Sequence, residues 1–280
     1  MREIQASEIR EAVVRLILEA SCRIGPDIEA AIRRGIDEET SPAGSEVLRQ
    51  IAESYAIARQ ERIAICQDTG MAVFFVEIGQ DVHINGGFED AVNEGVRIAY
   101  RDGYLRKSVV NDPMFDRVNT GDNTPAVIHA RLVPGDRIRI LVTPKGFGSE
   151  NMSRIRMFPP AAGVEGMKKF VVETVAEAGP NPCPPVIVGV GVGGTFEQAA
   201  IMAKRMTARG VGSHNDDPRY AALEDELLGE INRLGIGPAG IGGATTALAV
   251  NIGFCPTHIA GMPVAVNICC HCARHAEATL

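Results

Sequence analysis

The sequence predicts an α+β fold, in which a helical N-terminal part passes into a mixed α/β part with a small, partly antiparallel sheet. Three observations carry this reading. Ile9, Val13, Leu16, Ile17 and Ala20 recur at helical spacing. Beyond residue 60 the period changes, and residues 71–78 form a strand-like apolar run. Residues 126–132 and 137–142 then alternate across Val133-Pro134-Gly135-Asp136, the pattern of a β-hairpin.

The other elements follow from local punctuation. Asp27 reads as the cap of a second short helix ending near Gly35. Ser41-Pro42 starts a third, running to about residue 60, because Pro is pre-organised for a first helical turn. Cys66-Gln67-Asp68-Thr69-Gly70 is then a loop before the first strand. Gly86-Gly87 breaks the chain ahead of a helix over 89–100, and a glycine-rich loop at 145–151 precedes a helix over 164–178. A short buried strand at 186–190 leads to helices over 195–209 and from Asp217-Pro218 to about 234. Five glycines fall within 235–243, and apolar runs at 247–252 and 264–268 read as strands. With no repeat, low-complexity stretch or linker, residues 1–280 read as one domain with a helical sub-lobe over 1–60.

Composition narrows the function. Hydrophobic residues make up 45% and charged residues 22%, as in an ordinary globular protein. A net charge of −7 argues against a general nucleic-acid binder, yet a few local arginines can still receive an anionic substrate. No apolar run reaches the ~18 residues of a membrane span. No secretory segment opens the chain, and seven cysteines is an odd number, so the sequence reads as cytoplasmic with reduced thiols rather than a disulfide framework.

Cysteines at three places in the chain sit in settings suited to a metal: Cys66 before Gln-Asp-Thr-Gly, Cys183 within Pro-Cys-Pro-Pro, and the group Cys269, Cys270 and Cys272. They are too dispersed for a local zinc knuckle, and only a fold can gather them. In the C-terminal group the residues alone leave the choice open, although strand alternation puts Cys269 and Cys270 on opposite faces. Two other readings compete. His271 and His275, spaced i, i+4 beside Cys270 and Cys272, imitate a zinc site, but no Cys-x-x-Cys pair accompanies them. Gly189-Val190-Gly191-Val192-Gly193-Gly194 fits the dinucleotide-binding G-x-G-x-x-G of an oxidoreductase, with Asp216 and Asp217 downstream as ribose ligands. Against it, Pro182, Pro184 and Pro185 shorten the preceding strand, and no strand–helix–strand alternation follows.

The Cys66–Gly70 pentapeptide, the Lys145-Gly146-Phe147-Gly148-Ser149-Glu150-Asn151 loop, the Pro-Cys-Pro-Pro turn and the Asn-Ile-x-Cys-His tail occur in one order. Together they resemble the iron–sulfur (class I) fumarate hydratase and tartrate dehydratase family, and in particular the α subunit of its two-subunit members. The resemblance runs from about residue 10 to the end. It implies a [4Fe–4S] cluster on Cys66, Cys183 and Cys270, with one iron lacking a protein ligand. It implies that Asp68 and His258 share the proton chemistry, and that Gln67, Arg106 and Gly148 meet the dicarboxylate. Cys269 and Cys272 depart from the family pattern, which has a glutamine and a small residue there. The implied reaction is reversible hydration of fumarate to L-malate, with L(+)-tartrate dehydration as the alternative. The base for the C–H proton and further carboxylate clamps are expected on a separate β subunit, in a heterotetramer with two copies of each (α2β2).

Overall fold

The computed structural model describes residues 2–280. Its elements are β1 (Arg2–Gln5), α1 (Ala6–Cys22), α2 (Pro26–Glu38), α3 (Pro42–Glu61), β2 (Met71–Gly79), β3 (Val82–Asn85), α4 (Phe88–Asp102), β4 (Val127–Val133), β5 (Ile138–Lys145), α5 (Phe147–Glu150), β6 (Arg154–Phe158), α6 (Gly163–Ala178), β7 (Val186–Gly194), α7 (Phe196–Met206), α8 (Pro218–Asn232), β8 (Ala247–Thr257), β9 (Met262–Cys269) and β10 (Ala276–Thr279). The α+β class is as the sequence predicts. Among the described residues no helix is long and apolar enough to cross a membrane.

The chain forms two compact units. One comprises residues 2–24, Tyr55–Gly146 and Arg274–Leu280, and the other Gly25–Ser54 and Phe147–Ala273. The helical stretch 1–60 is therefore divided between both.

In the first unit, β10, β5, β2 and β4 lie in that order in one sheet. β2 runs antiparallel to β5 and parallel to β4. The hairpin expected between residues 126–132 and 137–142 does not form, because β2 lies between its two arms. β2 is the most continuously apolar strand and takes the centre, while the 133–137 turn wraps its exit through Gly79 N–H to Arg137 O and Gln80 N–H to Val133 O. Ile9, Val13, Leu16 and Ile17 of α1, and Val92, Val96 and Tyr100 of α4, cover the sheet residues Phe74, Val76, Ile140 and Val142.

In the second unit the order is β6, β9, β7, β8. β7 is parallel to β8 and antiparallel to β9. Its alternation is sharp. Val186, Val188 and Val190 join α6 and α8 side chains such as Val171, Val175, Leu227 and Ile231 in an aliphatic core. On the opposite face stand Gly189 and Gly191, where α7 presses onto the strand. A Cβ at Gly191 would lie 2.2 Å from Ala199 O, and one at Gly189 2.1 Å from Ala203 O. The G-x-G-x-x-G stretch is thus the second half of a strand paired on both sides, and its glycines admit a helix rather than a pyrophosphate. Asp217 serves as the cap of α8, accepting from Arg219 N–H.

Two further local readings differ. Asp27 is not the cap of α2: that place is taken by Gly25, and Asp27 Oδ2 accepts from Val211 N–H at 2.7 Å. Residues 271–275 are not helical, so His271 and His275 do not share a helix face as the zinc reading requires.

Candidate active site

In the first unit the Cys66–Gly70 loop leads straight into β2, the central strand. Cys66 and Asp68 are half-buried, Gln67 is exposed, and Thr69 and Gly70 are buried. Asp68 Oδ1 accepts from Gly70 N–H at 3.0 Å, closing a tight turn. Gly70 has φ +75°, and a Cβ there would meet the Lys145 carbonyl carbon at 2.6 Å. No side chain fits between the loop and the end of β5.

A buried polar scaffold fixes this loop. The Tyr100 hydroxyl, on the last turn of α4, donates toward Thr69 O at 3.0 Å and Gly70 O at 2.9 Å. Burial, together with the Asp68 carboxylate and against the Arg274 guanidinium, pushes the Tyr100 phenol well above its ordinary range, so it remains a donor. Arg274 is 3% exposed; its Nη2 donates to Asp68 O and its Nε to Pro144 O at 3.4 Å. Its Nη1 is buried without a hydrogen-bond partner. Such a cation tolerates burial only where carbonyl oxygens meet it.

Arg106 is exposed and lies on the segment after α4. Two ties bind that segment to the Cys66–Gly70 loop. Thr69 Oγ1 donates to Arg106 O at 2.9 Å. Asn123, fully buried at φ +64°, accepts Ser108 N–H at 2.7 Å and donates to Gly70 O at 3.1 Å. The candidate proton-handling carboxylate and the candidate clamp therefore rest on one hydrogen-bonded frame within one unit. Asp122 anchors the far end of the segment, bonding Thr124 and pairing with Arg97 at 2.9 Å. Its burial opposes ionisation, but these hydrogen bonds win and hold its carboxyl at about 2.

The second unit carries the other expected residues. Gly148 is exposed within α5. Next to it, Glu150 pairs with Lys204 of α7 and accepts from Asn267 Nδ2 of β9 at 3.0 Å, pinning α5 to the sheet. Cys183 is exposed and held at φ +55°, left-handed backbone that a non-glycine residue adopts at a cost. Cys270 is half-buried and directly follows β9. The register pairs Ile187 of β7 with Cys269 of β9. Cys183 and Cys270 accordingly stand at the same end of the sheet. Cys269 is buried in the strand, and buried Cys272 contacts His271 Nδ1 at 3.4 Å. His258 is exposed in the β8–β9 turn, and its Nδ1 accepts Ala260 N–H at 3.2 Å, which places the neutral ring's proton on Nε2.

Among the described residues no disulfide joins the cysteines, and no group of three or more His, Cys, Asp or Glu side chains is arranged to hold a metal ion. The scaffold residues Tyr100, Asn123 and Arg274 escape sequence reasoning. Each bonds backbone groups from distant segments, and the one available signal is a polar residue in an otherwise apolar setting.

The family model described as fumarate hydratase (Fumerase) matches residues 10–279. A Methanocaldococcus jannaschii protein provisionally named L(+)-tartrate dehydratase subunit alpha is 38% identical over 274 residues, covering 96% of each chain. L(+)-tartrate dehydratase subunit alpha proteins of Escherichia coli and Shigella sonnei are each 32% identical over 272 residues, covering 96% of this chain and 89% of theirs. With a family model spanning nearly its whole length and relatives matched end to end, this chain belongs to the fumarate hydratase (Fumerase) family of hydro-lyases.

Proposed function

We propose that this chain is the α subunit of a [4Fe–4S]-dependent hydro-lyase that interconverts fumarate and L-malate. The observation that carries this reading is the β7–β9 register, which brings Cys183 and Cys270 to one end of a sheet in a chain of this family. The donor chemistry fits a cluster. Thiolates suit iron, Cys183 is held exposed in a strained turn, and Cys270 leaves its strand at the same end of the sheet. Cys66, Cys183 and Cys270 would hold the cluster. When bound, a cluster with one iron outside protein ligation supplies a Lewis acid toward a hydroxyl and a carboxylate oxygen.

The chain's own groups do the rest. The Arg106 guanidinium receives one substrate carboxylate through two parallel N–H bonds. The Gln67 carboxamide and the Gly148 N–H orient the same diacid by donating to its oxygens. Asp68 and His258 manage the proton of the departing hydroxyl, with His258 giving it up and Asp68 stabilising the charged ring. The C–H proton is taken by a base on a second subunit, which the names of the relatives imply and which also contributes further clamps. We place the protein in the cytoplasm, where its thiols stay reduced.

Dehydration of L(+)-tartrate is the second reading, favoured by the names of the matched relatives. The deciding experiment is anaerobic purification of this chain with its second subunit, followed by iron and sulfide analysis and assays on malate, fumarate and both tartrate enantiomers. Fumarate–malate turnover by an iron-loaded complex is the expected result. Turnover of L(+)-tartrate alone would transfer the assignment to the second reading, and an iron-loaded complex inert toward all of them would overturn both.

A further inference from the structure

We infer that the first unit binds a nucleoside di- or triphosphate in a cavity formed by α1, the last turn of α3 and the exit of α4. The inference goes beyond the proposed hydration chemistry and does not depend on it. The cavity has a volume of about 890 Å³, within the range of sites for cofactor-sized ligands and far larger than a four-carbon diacid requires. All of its lining residues belong to the first unit, and none is a candidate residue of the active site.

α1 builds one wall through its helical period. Its inner face, with Ile9, Val13, Leu16 and Ile17, covers the sheet. Arg10, Val14, Leu18 and Cys22 recur at every fourth residue on a neighbouring stripe, which is only half-buried. At the exit of α4, Gly103 lets the chain close on this stripe: a Cβ there would lie 2.5 Å from Leu18 Cδ2. Val14, Leu18, Ile98 and Leu105 together give the cavity an apolar surface.

Positive charge is concentrated around it. Arg10, Arg15, Arg23, Arg59 and Arg62 line the cavity against three carboxylates, Glu11, Glu19 and Asp102, in a chain whose net charge is −7. Part of this charge is matched already, since Arg10 lies 3.7 Å from Glu11 and Asp102 pairs with Arg101 at 2.7 Å. Arg15, Arg23 and Arg62 are exposed and make no ion pair or side-chain hydrogen bond among the described residues. Arg62 stands at φ +55° just past α3, where Ile63 N–H bonds Ala58 O at 3.1 Å in a helix-ending turn that favours glycine. An arginine kept in left-handed backbone at the edge of a cavity points to a use for its side chain. Ser21 is a second sign. It also lines the cavity, is 2% exposed, and has a buried Oγ without a hydrogen-bond partner.

The mixture selects the ligand class. Guanidinium groups without a protein partner suit phosphate, which they bind through paired N–H bonds, and three of them suit more than one phosphate. The apolar surface suits a heterocyclic base, while Glu19 and Ser21 offer acceptors to hydroxyl or amino groups. A nucleoside di- or triphosphate carries all three kinds of group; inorganic phosphate carries only the first.

The test is calorimetric titration of ATP and ADP into the full chain, alone and in complex with the second subunit. Saturable binding of one nucleotide per chain is expected in both. Arg62→Gly separates binding from folding, because glycine suits the backbone there: affinity should fall about 10- to 100-fold while the melting temperature holds or rises. Arg15→Ala and Arg23→Ala should each weaken binding, and Arg137→Ala, exposed on the 133–137 turn and outside the cavity lining, should leave it unchanged. Equal losses in all four variants would mean general attraction to cationic surface and would overturn the inference. So would wild-type affinity in Arg62→Gly, absence of binding, pyrophosphate or inorganic phosphate binding as tightly as ATP, or binding that disappears when the second subunit is present. The readout is binding, so a complex that takes up ATP yet turns over no dicarboxylate would sink the hydro-lyase reading and leave this inference standing.

Discussion

Thr69 and Asn123 each use a small polar side chain to join two stretches that carry candidate site residues. Thr69→Val keeps the shape but removes the donation to Arg106 O. One such bond contributes about 0.5–1.5 kcal/mol, so KM for the dicarboxylate should rise about 2- to 10-fold as Arg106 loses its support, with kcat less affected. Thr69→Ser should restore KM, and steady-state kinetics at constant iron content checks both. Asn123→Asp is isosteric yet turns the donor facing Gly70 O into an acceptor; a buried donor–acceptor mismatch of this kind should cost about 1–3 kcal/mol on denaturant unfolding. Among the cysteines, loss of iron is expected in Cys66→Ser, Cys183→Ser and Cys270→Ser, with retention in Cys22→Ser and Cys272→Ser. Iron that survives in Cys270→Ser but not in Cys272→Ser would exchange their assignments. The Asp68–Gly70 turn was legible beforehand, because the turn chemistry of Asp-Thr-Gly is local. Arg274 was not. Its role depends on two carbonyls, of Pro144 and Asp68, that only the fold brings to it.

At the scale of elements, most helices and the apolar strands could be read because their periods and caps are local properties. The pairing of strands could not. An alternating run is satisfied by any neighbour, and β2 displaced the expected β4–β5 hairpin by burying both of its faces. The glycines of β7 misled in a similar way, since the motif does not say whether a helix or a phosphate fills the space above them. Gly191→Ala should therefore destabilise the second unit by about 1–3 kcal/mol, as a methyl group forces α7 off the strand, and a lowered denaturant midpoint would show it. Glu39 supplies a pH-dependent element. It follows α2, and its carboxylate accepts from Ser41, Ala244 and Thr245 N–H groups at 3.0, 2.7 and 2.9 Å. Burial acts to raise its pKa, but these hydrogen bonds together lower it below 4.5. A depressed pKa means that the stabilisation is present above the unfolded value and lost as pH falls through the folded one. Thermal melts of wild type should weaken below about pH 4.5, and Glu39→Gln should be less stable at neutral pH with a flatter acid limb.

For the whole molecule, the proposed reading assigns the C–H proton to a base on a second subunit. The isolated chain should take up iron under anaerobic reconstitution yet show negligible hydratase turnover, and adding the second subunit should restore it. Substantial malate formation by the isolated chain would require a base within these residues. The order in which the chain is made adds a constraint of its own. In the first unit β5 pairs with β10, whose residues emerge from the ribosome more than a hundred positions later. Arg274, two residues before that strand begins, donates to the Asp68 carbonyl. During synthesis the Cys66–Gly70 loop thus exists long before its last fastening does, and the edge of the first unit's sheet stays open until the tail arrives. The anchoring of this loop is a late event by construction. A chain halted after Ala273 should keep the second unit folded and leave the Cys66–Gly70 loop open to protease, whereas in the full chain the same loop should resist cleavage.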